Sequence, residues 1–132
     1  MPDLLDDPAI SDASALWRRV HPSWIVRDDN RGGMRLSSAA FDDSADGSPL
    51  SVLIAEVVLQ TKRTAQAVLA DFDGYALAAT TAGNARKQGQ GIAATPEPDE
   101  PAHASVFGPK TKSIKRVMAK DATWVIGPAM QG

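Results

Sequence analysis

Apolar and polar positions alternate with period two from Leu16 to Val20, which puts Leu16, Arg18 and Val20 on one face of a strand and Trp17, Arg19 and His21 on the other. Each face therefore carries an arginine. Pro22 removes a ladder donor, residues 24–26 resume an extended course, and residues 27–33, with two glycines, turn the chain back into residues 34–36 as a hairpin. Residues 37–41 are small and apolar enough for close packing. Ser48 before Pro49 has the form of a helix start, and the nearly all-apolar run 50–59 predicts a buried helix, with a strand as the alternative because of its β-branched content.

Thr64 caps a second helix over 65–72 with Val68, Leu69 and Phe72 as its apolar stripe, and Asp73 and Gly74 end it. Residues 75–81 read as a central strand covered on both faces. A short helix over 82–88 and a strand over 92–95 follow, and the proline-stiffened stretch 96–101 returns the chain into a strand over 102–107, antiparallel to the one before. Thr111 caps a helix over 112–120; Ile114, Val117 and Met118 form its apolar face, while Lys112, Lys115, Arg116 and Lys120 crowd the others. Residues 122–126 supply the last strand. The expected fold is α+β: a single compact domain over 16–128, with a mixed, mostly antiparallel sheet of about five strands and three to four helices, behind an acidic, flexible leader over 1–15.

Composition narrows this. At 132 residues and 43% hydrophobic, the chain buries about two-thirds of its unfolded surface as one domain. The absence of cysteine excludes a disulfide framework, a cysteine-ligated zinc and a cysteine nucleophile, and fits a reducing cytoplasm. No run approaches the roughly 18 apolar residues that span a bilayer, and residues 1–7 have neither the basic nor the apolar region of a secretory signal. A cytoplasmic protein without a membrane partner is expected. The net charge of −2 conceals an asymmetry. Asp3, Asp6, Asp7 and Asp12 precede the first base, and the bases cluster at Arg18, Arg19, Arg27, Arg31 and Arg35 and again at Lys110, Lys112, Lys115, Arg116 and Lys120. A weakly acidic total argues against non-specific coating of DNA, yet a local basic face selects a phosphate or an acidic partner.

The two histidines, His21 and His103, are the candidate catalytic groups, because imidazole titrates near neutrality. Neither HExxH nor HxH spacing occurs, so no metal is expected, nor is a cofactor. No GxSxG elbow supports a nucleophilic triad. The run Gly108 to Ser113 enters a helix, where free N–H groups, Lys110 and Thr111 face one anion, and Arg86 on the preceding short helix reaches the same pocket. Arg18, Arg19, Arg35, Ser37 and Ser38 complete the candidate ligand-binding set. The expected ligand bears phosphate: a nucleotide, NAD or an RNA end, bound with or without catalysis. The alternative is a non-catalytic protein-interaction module, a regulatory or defence-system partner whose basic C-terminal helix engages an acidic protein; the apolar run 50–59 leaves a homodimer open. Geometry separates the two, since a ligand pocket requires the first-strand arginines and the histidines to converge.

The segments Trp17-Arg18-Arg19-Val20-His21-Pro22, Arg35-Leu36-Ser37-Ser38-Ala39-Ala40-Phe41, Pro101-Ala102-His103-Ala104 and Gly108-Pro109-Lys110-Thr111-Lys112-Ser113 resemble those of small uncharacterised bacterial proteins, over most of the chain from Leu16 to Val125. More distantly, an arginine on a first strand followed by a serine-bearing second strand is similar to the pattern of ADP-ribosyltransferase-like folds. That resemblance implies that Arg18 or Arg19 holds the NAD diphosphate and that Ser37 or Ser38 supports the nicotinamide side. The pattern departs from those folds at a late strand, where no glutamate is found among Glu56, Glu97 and Glu100; His103 is the candidate to stand in its place.

Overall fold

The computed structural model describes residues 4–28 and 33–128. The first strand is β1 (Ala15–Val20), and a hairpin follows of β2 (Ile25–Asp28) and β3 (Gly33–Leu36), the tip of its turn lying outside the described residues. Then come β4 (Leu50–Ile54), α1 (Ala55–Gln60), α2 (Ala65–Val68), β5 (Ala76–Thr81), α3 (Ala82–Lys87), β6 (Gly91–Ala94), β7 (His103–Phe107), α4 (Lys112–Asp121) and β8 (Thr123–Ile126). The main sheet has six strands in the order β6-β7-β4-β1-β5-β8, and the hairpin forms a separate sheet of two. Every ladder is antiparallel. The protein is thus a single α+β domain, as its pattern predicts, with one more strand in the main sheet than the expected five.

The sheet is covered on both faces. Leu16, Val20, Leu50, Val52, Ala76, Ala78, Ala104 and Val106 pack against the 3-10 turn Ser38–Phe41, α3 and α4 in the larger core. Trp17, Leu53 and Leu77 face the other way, onto Val58 of α1 and Val68 of α2. This double burial explains the one element whose type differs from expectation. Residues 50–54 are a strand, not the first half of a buried helix: a strand buried on both faces reads as apolar all round, and its β-branched side chains suit the pleat. Only Ala55–Gln60 is helical.

The second helix stops after one turn, at Val68, and Phe72 leaves it to stack edge-on with Tyr75 at 5.3 Å between ring centroids. On α4, Met118 is buried while Val117 is 37% exposed, so the apolar face runs through Ile114, Met118 and Ala122. Thr64, Thr81 and Thr111 each cap the helix that follows through a side-chain oxygen.

The described part of the acidic leader is packed. Ile10 joins the larger core, and Asp7 donates its N–H to the Ile92 carbonyl at 2.8 Å. Arg86 clamps it, with Nε 3.1 Å from Asp6, Nη1 2.7 Å from Asp12 and Nη2 3.0 Å from the Asp7 carbonyl. The leader therefore folds back on Arg86 and not on the first-strand arginines. At the opposite side Glu100, 9% exposed, receives both terminal nitrogens of Arg63 at 2.8 and 2.6 Å and the Ala102 N–H at 3.2 Å, with Arg19 at 3.6 Å.

Hydrogen bonding from Arg63 holds the Glu100 carboxyl below its ordinary value of 4.5, with the Ala102 N–H and the two arginine charges adding to it. A carboxylate whose folded pKa is depressed stabilises above its unfolded value and loses that contribution as pH falls through the folded one. Glu100→Gln is expected to cost about 2–3 kcal/mol at pH 7 and to flatten the loss of stability below pH 4.5; urea midpoints at pH 7 and at stepwise lower pH measure both.

Candidate functional site

The neighbours β1 and β4 pair only through Leu16↔Ile54 and Trp17↔Leu53. Past that point each keeps its other partner, β1 running with β5 to Val20↔Ala76 and β4 with β7 to Leu50↔Val106. The gap between them is a cleft of about 180 Å³, walled by Trp17, Trp24, Phe72 and Tyr75, floored by Val52 and Leu53, and bearing four polar side chains: Arg18, Arg19, Ser51 and His103. Alternation sends Arg18 and Arg19 to opposite faces of β1, as the sequence predicts. Both still reach the cleft, because it opens through the sheet and not on one side of it.

Arg18 occupies the place of the missing ladder bonds. Its Nε donates to the Ala40 carbonyl and its Nη1 to the Ser51 carbonyl, each at 2.9 Å, and its guanidinium carbon lies 5.1 Å from the Trp24 ring centroid. Nη2 has no acceptor among the described residues, and no carboxylate lies within 4.0 Å. Burial pushes its pKa down to about 10, with Arg19 adding and Tyr75 opposing, so that it remains a full positive charge at neutral pH. A part-buried cation without a counter-ion is costly to fold around. Arg19 is better satisfied: Nε donates to the Val68 carbonyl at 2.9 Å, Glu100 lies at 3.6 Å, and the guanidinium sits 4.2 Å from the Phe72 centroid. Its pKa is also lowered, chiefly by burial.

His103 closes the far wall. Its Nδ1 lies 3.0 Å from the Thr95 carbonyl and 2.8 Å from the Thr95 hydroxyl, and its Nε2 lies 3.1 Å from the Ser51 hydroxyl. The Thr95 carbonyl only accepts, so its contact is a hydrogen bond when Nδ1 carries the hydrogen, the tautomer in which Nε2 presents its lone pair to Ser51 O–H; in the other tautomer the Thr95 hydroxyl donates to Nδ1 and Nε2–H faces Ser51. The Thr95 hydroxyl continues the chain to Ser105 at 3.0 Å, and Glu97 stands 3.7 Å from Nε2.

Of the ten residues nominated from sequence, Arg18, Arg19 and His103 converge here. His21 does not line the cleft; it braces two of its walls, with ring centroids 5.8 Å from Trp24 and 5.2 Å from Tyr75, and its Nδ1 accepts the Ser23 N–H at 3.0 Å. Arg35, Ser37 and Ser38 line a separate groove with α4, so the serine beside Arg18 is Ser51 and not the pair suggested by the resemblance to ADP-ribosyltransferase-like folds. Arg86 is taken up by the leader. The Lys110 side chain is 5% exposed, 3.0 Å from Asp43 and donating to the Val106 carbonyl at 3.1 Å, while the Thr111 hydroxyl caps α4; the expected anion cradle before α4 is internally satisfied. Ser51, Thr95 and the aromatic walls went unnominated. Reading 50–54 as a strand was the available signal, since its register sets Ser51 on the same face as Leu53, which pairs with His103.

Among the described residues no group of three or more metal-ligating side chains is placed to hold a metal ion, and no helix is long and apolar enough to cross a membrane.

The hydrogen-bond assignment makes a direct prediction. Long-range ¹H–¹⁵N spectra of the neutral ring should show His103 as the Nδ1–H tautomer, with Nε2 pyridine-like; the opposite tautomer would exclude Ser51 as the donor to Nε2.

No protein-family model, curated protein or solved structure matches the chain.

Proposed function

We propose that the protein recognises a small ligand through an anionic head, phosphate or carboxylate, seated on Arg18 in the cleft between β1 and β4. One observation carries this reading: Arg18 keeps a charge in a half-buried position with Nη2 unengaged and no carboxylate nearby among the described residues. An anion arriving there supplies the missing counter-charge in a site of low dielectric, where charge-assisted hydrogen bonds are strong. The four aromatic walls suit a flat apolar body next to that head.

Size restricts the ligand. At about 180 Å³ the cleft holds the volume of roughly six water molecules and is smaller than the roughly 300 Å³ at which drug-sized pockets begin. A nucleotide or an RNA end therefore enters by its phosphate, leaving most of its bulk outside, and a whole NAD molecule is too large to be enclosed.

A second reading has its own observation. A groove of about 480 Å³ between β3 and α4 is lined by Arg35, Ser37, Ser38, Lys112, Arg116 and Lys120. The three α4 cations recur every four residues and so form one basic stripe. This stripe supports docking of an acidic protein segment.

Thermal unfolding in the presence of phosphate, sulfate, benzoate, mononucleotides and short 5′-phosphorylated RNA tests the first reading. A ligand at a hundred times its Kd stabilises by about 2.7 kcal/mol, several degrees for a domain of this size, and Arg18→Ala should abolish the shift. No shift with any anion at millimolar concentration overturns it. For the second, Lys112→Glu with Arg116→Glu and Lys120→Glu should weaken binding of a fluorescent poly-glutamate peptide about tenfold or more at low salt and leave the cleft's anion shift in place.

A further inference from the structure

We propose that Ser51 is a nucleophile activated by His103, and that the cleft hydrolyses a small carboxylic ester whose tetrahedral oxyanion is stabilised by Arg18. The proposal rests on the anion seat argued above, and it names the reaction of that same site: the carboxylate that the seat holds in the ground state is the product of the ester it cleaves.

Three observations meet in one place. First, a hydroxyl and a base are within hydrogen-bond reach, Ser51 Oγ to His103 Nε2 at 3.1 Å, and both side chains line the cleft. Second, the base is oriented by a third group: Thr95 holds Nδ1 with its carbonyl at 3.0 Å and its hydroxyl at 2.8 Å, and with the hydrogen on the carbonyl side the Nε2 lone pair is left to take the serine proton. Third, a cation reaches the same cleft from the other face of the sheet: Arg18 Nη1 donates to the backbone carbonyl of Ser51 at 2.9 Å, and Nη2 has no acceptor among the described residues. A nucleophile, a base with its orienting partner, and a cationic donor are the parts that acyl transfer needs. Phosphoryl transfer is less well served. It spreads charge over three equatorial oxygens and is met elsewhere by several cations or metal ions, whereas Arg19 is already committed to the Val68 carbonyl, Glu100 and the Phe72 ring.

The chemistry balances with water as the only co-reactant. Ser51 Oγ attacks the ester carbon as its proton passes to His103 Nε2, and the carbonyl electron pair moves onto oxygen beside Arg18. Collapse of this oxyanion breaks the carbon–oxygen bond to the leaving alcohol, which takes the proton from His103. Water then loses a proton to His103 and attacks the acyl-serine; the acid departs and the proton returns to Ser51. Throughout, Nδ1–H stays on the Thr95 carbonyl. The apolar lining of Trp17, Phe72 and Leu53 favours a short or flat acyl group.

The test is labelling of the 132-residue chain with an alkyl fluorophosphonate, read by intact mass and peptide mapping, beside turnover of p-nitrophenyl acetate and butyrate. One adduct per chain is expected on Ser51. It should be absent in Ser51→Ala, slowed about 100-fold or more in His103→Gln, the lower end of what a positioned general base contributes, and unchanged in Ser44→Ala, whose hydroxyl is on an exposed residue of the loop before β4. Thermal unfolding of each variant separates loss of the nucleophile from loss of the fold. Absence of a Ser51 adduct in the wild type, or an adduct that forms at the same rate in a folded His103→Gln, overturns the proposal. The two readings fail separately: an anion shift that requires Arg18 without labelling removes the nucleophile and keeps the anion seat, while labelling of Ser51 without any anion shift removes the seat and with it the role given to Arg18.

Discussion

The parting of β1 from β4 after two residue pairs is the constraint on which the site depends. An antiparallel sheet leaves its strands' N–H and C=O groups unsatisfied wherever a ladder stops, and in a sheet covered on both faces water is poorly placed to repair the loss. Here an arginine makes the repair. Its guanidinium reaches across the gap to the Ser51 carbonyl and onward to the 3-10 turn at Ala40, so one side chain joins β1, β4 and the layer above them. An apolar residue at position 18 would pack but leave two carbonyls without donors, at about 1–3 kcal/mol for each buried group left unpaired. A charge at the centre of the sheet is the consequence.

The rest of the fold holds this gap open on both sides. On the larger-core face, Phe41 and Ala40 are buried beneath α4, and Trp24 lies over the Arg18 guanidinium. On the other, Glu100 gathers Arg63 and Arg19, which fixes Arg19 against Phe72 and prevents it from turning to pair with an incoming anion. His21 takes no part in the cleft but sets the tilt of Trp24 and Tyr75. Two arginines adjacent in sequence thus differ in kind: Arg19 has Glu100 beside it, and Arg18 has no carboxylate within 4.0 Å among the described residues.

Much of the architecture was legible from pattern. Threonine caps at 64 and 111, the hairpin from Ile25 to Leu36, the small-residue strand β5 and the β6–β7 return across prolines all follow from local rules that tertiary packing did not override. The failure at 50–54 was informative because its cause also hid the site. An all-apolar run fits a helix or a doubly buried strand equally well by periodicity, and the helix reading scatters Ser51 away from His103. Arg86 and Lys110 read as ligand groups because Lys110 stands where the chain enters a helix and Arg86 lies on the short helix before it; their partners, Asp6, Asp12 and Asp43, lie far away in sequence, and nothing local announces such pairs.

The distribution of charge gives the last step. The acidic leader neutralises Arg86, the loop after the 3-10 turn neutralises Lys110 and Lys115 through Asp43 and Asp42, and Glu100 neutralises Arg63 and part of Arg19. A net charge of −2 is therefore compatible with two electropositive places: the Arg18 cleft and the α4 stripe of Lys112, Arg116 and Lys120, none of which has a carboxylate within 4.0 Å among the described residues. The two places differ in dielectric. The stripe is exposed and screened over about 8 Å at physiological salt, so it suits a broad, salt-sensitive contact. In the cleft the same unit charge is half-buried among aromatic rings, where a lower dielectric strengthens its interaction with any charge brought near it, and this is the physical ground of the proposed anion seat and of the proposed oxyanion stabilisation.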